Sequence, residues 1–298
     1  MLKAINTKVL LSGAVILVAA AVVIGATFAF FSDTETSTGN TFTAGAIDLT
    51  IDNESYVIDY LTDIGNPTGA LVANSFTSWT LSDLTIEKFF NFEDLKPGDY
   101  GEDTISLHVE NNDAYLCAAA RITSDLDNTI TEPEDEVSGP NNDDNDGTTD
   151  GDLDSQVNIA FWGDDGDNVF EVGENVFLQG PISGMGQVGQ IALADTQNNV
   201  WGTIAPVPGA STQYIGKEWC FGTLTPSPIA AGNGGPIARG TGFTCSGAAS
   251  IDNIAQTDSV VGDLQFYAVQ SRNNTGFTCS QGYIPVWPAA VTPTPTLD

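Results

Sequence analysis

Apolar and polar residues alternate in short runs along this chain, and Gly, Asn, Asp or Pro separates the runs. Ile47, Leu49 and Ile51 alternate with Asp48, Thr50 and Asp52, the period of a strand with one buried face. Leu95-Lys96-Pro97-Gly98-Asp99 supplies a Pro-Gly turn. After it Ile105, Leu107 and Val109 alternate with Thr104, Ser106, His108 and Glu110, and the Asn111-Asn112-Asp113 turn leads to Leu116, Ala118, Ala120 and Ile122 on one face. Residues 104–122 therefore predict a β-hairpin. Further strands are predicted over residues 157–162, 169–177, 213–224 and 260–271, each bounded by turn residues. No long amphipathic helix pattern follows residue 31, so the predicted fold class is all-β and antiparallel.

The first thirty residues follow a different rule. Residues 9–31 carry no charge and follow Lys3 and Lys8, while the small residues Thr27 and Ala29 occupy the −3 and −1 positions of a signal-peptidase site. This predicts a signal peptide over residues 1–29, with cleavage between Ala29 and Phe30. The competing reading is an uncleaved anchor, because an uncharged run of this length can span a bilayer.

The junction Ala-Thr-Phe-Ala-Phe-Phe-Ser-Asp (26–33), followed by a Thr-rich segment ending in Phe-Thr-Ala-Gly-Ala-Ile-Asp-Leu (42–49), closely resembles the TasA/camelysin family of secreted proteins, whose signal peptides use a specialised peptidase. The Leu-Lys-Pro-Gly-Asp turn, leading into a strand that ends in Glu-Asn-Asn, is similar to a second block of that family. The resemblance implies a biofilm-matrix or cell-surface fibre subunit with a jelly-roll β-sandwich, assembled head-to-tail by donor-strand exchange. An extended Thr-rich segment ahead of a sandwich suits such a role, since it can add as a strand to an open sheet edge. The residues expected to carry self-assembly are Phe30, Phe31, Thr34, Thr36, Thr38, Thr41 and Phe42. The expected organisation is a signal peptide (1–29), a flexible donor segment (30–45), a sandwich domain (46–287) with an acidic insertion at about 125–156, and an extended tail (288–298).

Charge narrows the choice of partners. The chain has 8 bases and 39 acids for a net charge of −31, and cleavage after Ala29 removes two lysines and no acid, giving −33. Such a surface repels nucleic acid and anionic lipid. The expected partners are copies of the chain itself and the signal peptidase, and membrane contact is expected only through the N-terminal segment before cleavage. Hydrophobic content of 41 % supplies a core.

Four cysteines in an exported chain predict two disulfides. The hexapeptide Thr-Gly-Phe-Thr-Cys-Ser occurs at 241–246 and again at 275–280; on that similarity Cys245 is expected to pair with Cys279, and Cys117 with Cys220. The acidic loops are the candidate cation site. Asp164, Asp165 and Asp167 flank Gly166 in a turn of the kind calcium uses and Glu171 follows it, although no segment completes the EF-hand pattern. A calcium ion is the one cofactor expected.

Catalysis finds little support. His108 is the single histidine and sits on the polar side of a predicted strand. Camelysin relatives are described as metalloproteases, but an H-E-x-x-H site needs two histidines. No G-x-S-x-G elbow or phosphate loop occurs. The expected protein is therefore not an enzyme. Its rivals are a membrane-anchored surface binding module with calcium-holding acidic loops and, further off, an exported hydrolase. Asn53-Glu54-Ser55 and Asn273-Asn274-Thr275 fit the glycosylation sequon.

Overall fold

The structure is a computed structural model, and it describes residues 32–36, 47–61, 68–92, 94–128, 151–248 and 253–280. The expected signal peptide, the cleavage site at Ala29 and Phe30, most of the acidic insertion and the C-terminal tail lie outside these residues. So do Phe31, Thr38, Thr41 and Phe42.

Thirteen antiparallel strands are described: β1 (Ser32–Thr36), β2 (Asp48–Ile58), β3 (Leu71–Ala73), β4 (Trp79–Ser82), β5 (Tyr100–Glu110), β6 (Ala114–Leu126), β7 (Val157–Asp164), β8 (Val176–Pro181), β9 (Gln190–Ala194), β10 (Ser211–Phe221), β11 (Thr223–Pro226), β12 (Phe243–Ser246) and β13 (Ser259–Gln270). They form a β-sandwich. One sheet runs β3-β2-β5-β10-β7-β8, with β4 also paired to β2; the other runs β1-β13-β6-β9; β11 and β12 make a separate ribbon. The main core lies between the two large sheets. Leu49, Ile51, Ile105, Leu107, Val109, Ile159, Phe161, Ile215 and Trp219 from one sheet meet Leu116, Ala118, Leu193, Leu264, Phe266 and Ala268 from the other. These are the apolar members of the alternating runs, as a half-buried strand requires.

The hairpin predicted over residues 104–122 does not form. β5 pairs with β2 and β10, whereas β6 pairs with β13 and β9. The turn at Asn111, whose φ is 67°, carries the chain from one sheet to the other. Both strands thereby point their apolar positions into the same core from opposite sides, which a flat hairpin could not do.

The outer faces of both sheets are covered as well, so the polar partners in the alternation do not all reach water. Thr104 and Ser106, expected on an exposed face, are 3 % and 7 % exposed. The β11-β12 ribbon covers the outer side of β7 and β10, with Ala160, Trp162, Phe170, Cys220, Leu224 and Phe243 forming a second small core. Residues 271–280 cover the outer side of β6 and β13, where Cys117, Tyr267, Val269 and Cys279 cluster and Phe277 stacks on Tyr115 at 5.5 Å. The predicted strand over 169–177 is mostly loop, with isolated bridges at Glu171 and Val172 before β8 begins.

This layering corrects the disulfide pairing. Cys117 bonds Cys279 and Cys220 bonds Cys245. The two similar hexapeptides do not face each other. Each lays its Phe and Cys on the outer face of a different sheet, Phe243 and Cys245 on one and Phe277 and Cys279 on the other.

Trp162 lies flat over Gly216 on the neighbouring strand, and a Cβ at that position would meet the indole at 2.0 Å. Gly216→Ala should therefore cost about 1–3 kcal/mol through overpacking. A chemical-denaturation midpoint unchanged by the substitution would contradict this packing.

Candidate functional site

Two features stand apart from the core. The first is the edge of the four-stranded sheet. β13 pairs with β6 over its whole length, and on its other side β1 runs antiparallel, with Ser32 opposite Val269, Thr34 opposite Tyr267 and Thr36 opposite Gln265. Of the residues expected to carry assembly, Thr34 and Thr36 thus fall in a strand at an edge. An unpaired strand edge presents a row of N–H and C=O groups that templates pairing with another strand. Here that row is backed by buried side chains on both faces, with Phe266 and Ala268 in the main core and Tyr267 and Val269 in the outer cluster. Ten residues, 37–46, separate β1 from the first described residue before β2. Fully extended, a segment of that length reaches at most about 33–36 Å.

The second feature is an acidic face on the outer side of the large sheet. Glu102 on β5 lies directly opposite Glu218 on β10, and both are fully buried, at 0 % and 1 % exposure. Neither carboxylate oxygen of Glu102 has a hydrogen-bond partner, nor does Oε2 of Glu218; Thr241 Oγ1 donates to the remaining oxygen at 3.1 Å. Burial, joined at Glu102 by repulsion from Glu218, holds both carboxyls well above the usual carboxylate range. Asp164, at the end of β7, accepts from Trp162 Nε1 at 3.1 Å and from Gly166 N at 2.8 Å, and burial raises it too. Asp164, Asp165 and Glu174 bring one carboxylate oxygen each within 4.8 Å of one another. Burial, reinforced by Asp164 and Asp165, pushes Glu174 up to about 8.

The expected calcium ligands are therefore divided. Asp164 and Asp165 enter this cluster, but Asp167 and Glu171 are drawn to Arg239, which makes an ion pair with each. Glu174 takes their place because its two oxygens accept from Asp165 N and Glu171 N, folding the loop back on itself. Glu102 and Glu218 were not singled out in the sequence, because local periodicity carries no sign that residues as distant as Thr241 cover that face. Such a face can hold protons or a hard cation; it contains no histidine. His108 instead bridges Asp52 and Thr212, 3.0 Å from each.

The glycosylation sequons also separate. Asn53 is 3 % exposed and donates to Thr77 O and Asp103 Oδ1, so its amide is shut away from any modifying enzyme. Asn273 is exposed.

Among the described residues no helix is long and apolar enough to cross a membrane. Compared with known families, residues 4–69 match the model of the camelysin metallo-endopeptidase family. That span takes in most of the expected signal peptide together with β1 and β2, and leaves the acidic face outside it. No curated protein matches the chain.

Proposed function

We propose that this chain is a secreted structural subunit of an extracellular or biofilm-matrix fibre, and that β1 of one subunit takes the place of β1 on the next. The observation that supports this reading is β1 itself: residues 32–36, within the stretch expected to act as a donor, lie at the edge of the smaller sheet, next to a β13 whose two faces are already buried. The family match at residues 4–69 supports the coarser statement of a secreted surface or matrix protein. Exchange is head-to-tail, so it does not close and it propagates as a filament. Secreted material should begin at Phe30 on N-terminal sequencing and show filaments by negative-stain microscopy. Protein that retains residues 1–29 at the cell surface and never forms filaments would contradict it and would favour the anchored module.

The reading is of a non-enzyme. The metallo-endopeptidase description belongs to the matched family; in this chain the lone histidine is held between Asp52 and Thr212, on the strand that also carries Glu102 but away from the acidic cluster.

The acidic face supports a second property, stabilisation by calcium through Asp164, Asp165 and Glu174. Carboxyls whose folded pKa is raised bind more protons folded than unfolded, so stability falls as pH rises from about 4.5, the unfolded value, through the folded value. With Glu174 at about 8 and Asp167 at about 6, metal-free protein should lose melting temperature between pH 5 and pH 8. Calcium should restore it at the upper end by more than magnesium at equal ionic strength, because magnesium gives up its waters reluctantly. Equal effects of the two ions would mean screening alone.

A further inference from the structure

Lysine is rarely fully buried, yet Lys217 ranks among the largest side chains wholly removed from solvent here. It sits on β10 directly opposite Asp103 of β5, in the middle of the large sheet. Nζ lies 2.7 Å from Asp103 Oδ2, and both side chains are 0 % exposed. Nζ also donates to Phe89 O at 2.6 Å, and the Phe90 ring centroid is 3.7 Å away. On the far side Asn53 Nδ2 donates to Asp103 Oδ1 at 3.0 Å. Asp103 Oδ2 has no aligned hydrogen bond despite its short distance to Nζ. An isolated ion pair in such a place stabilises little, because desolvation of both charges offsets their attraction.

We infer that Lys217 Nζ and Asp103 Cγ become joined by an amide bond, formed by the folded chain itself, that ties β5 to β10. The reaction needs no other reagent. A proton passes from the ammonium to Oδ2, giving a neutral amine and a carboxylic acid; desolvation lowers the lysine pKa and so eases the loss of that proton. Nζ then uses its lone pair to attack Cγ, and the Asn53 N–H stabilises the negative charge that develops on Oδ1. The Cγ–Oδ2 bond breaks, and Oδ2 leaves with its own proton and one from Nζ as water. Ammonium and carboxylate have become an amide and one water. Amide formation is unfavourable between free solutes in water, but two groups held at this distance react with an effective molarity of about 10⁵–10⁸ M. Asn53 touches a reacting oxygen and so serves as a catalytic residue for this single turnover, which explains why an amide is buried at a position that reads as a glycosylation sequon.

The test is the intact mass of the secreted protein, denatured and with both disulfides reduced, against the mass of the sequence from its measured first residue. The protein should be lighter by one water, and a protease digest should yield one branched peptide containing both Asp103 and Lys217. Lys217→Met and Asp103→Ala should each restore the full mass. Asn53→Ala should leave a larger fraction of chains unlinked. The wild-type mass decides the matter even if a variant fails to fold. Full mass, with Asp103 and Lys217 in separate linear peptides, would overturn the inference. So would water loss confined to one linear peptide, the mark of a succinimide. The bond does not depend on fibre assembly, so it should be present in unassembled subunits too.

Discussion

A chain lacking residues 30–43 is expected to remain folded and soluble and to form no filaments. Among the described residues the main core begins at Ile47 and Leu49, so the deletion removes none of its described members. What it removes is the ladder between β1 and β13, at Ser32 to Thr36. Each hydrogen bond of that ladder contributes about 0.5–1.5 kcal/mol net, so the truncated monomer should melt at a lower temperature. A peptide of residues 30–43 added in trans should raise that melting temperature by refilling the edge. Proline in place of Thr34 or Thr36 should act as a milder form of the deletion, since proline cannot donate to a ladder. Polymerisation of the truncated chain at the wild-type rate would remove β1 from the account of assembly.

The largest loss of stability should come from the long disulfide. Cys117 and Cys279 are 162 residues apart in sequence, against 25 for Cys220 and Cys245. In the chain-entropy treatment closing the longer loop contributes about 5 kcal/mol and the shorter about 3.5 kcal/mol. Since a domain's whole stability is about 5–15 kcal/mol, replacing Cys117 and Cys279 together by serine should bring the protein close to unfolding, with the shorter bridge's double variant less affected. Non-reducing thermal melts of the two variants check the order. A long-bridge variant as stable as wild type would show that residues 271–280 hold the β6-β13 face without the covalent tie.

Alternation located the strands whose inner positions face the main core, because Leu49, Ile51, Ile105, Leu107, Val109 and Leu116 obey the two-residue period. It misjudged the strands with two covered faces. β10 is buried continuously from Ile215 to Phe221, so Lys217 and Glu218 are interior while the sequence marks them as charged and solvated. The cover comes from segments far along the chain, Phe89 and Phe90 over Lys217, Thr241 beside Glu218 and residues 271–280 over β6 and β13, and local periodicity carries no record of it. The same blindness explains the disulfides. Two identical hexapeptides look like partners in sequence, yet each is a lid for a different sheet. The hairpin failed for a related reason: a turn at Asn111 states that the chain reverses, not whether the returning strand pairs with its predecessor or crosses to the other sheet. Of the segment expected to act as a donor, the described residues 32–36 lie as a strand beside β13, which the extended Thr-rich character of that stretch is consistent with.

Which molecule supplies the strand beside β13 in the assembled state is read directly from a cryo-electron microscopy map of the filaments. The density antiparallel to residues 265–269 should trace through residues 37–46 into β2 of the adjoining subunit, with Thr34 opposite Tyr267 across the boundary. Density that traces back into β2 of the same subunit, with filaments held by some other surface, would contradict strand exchange.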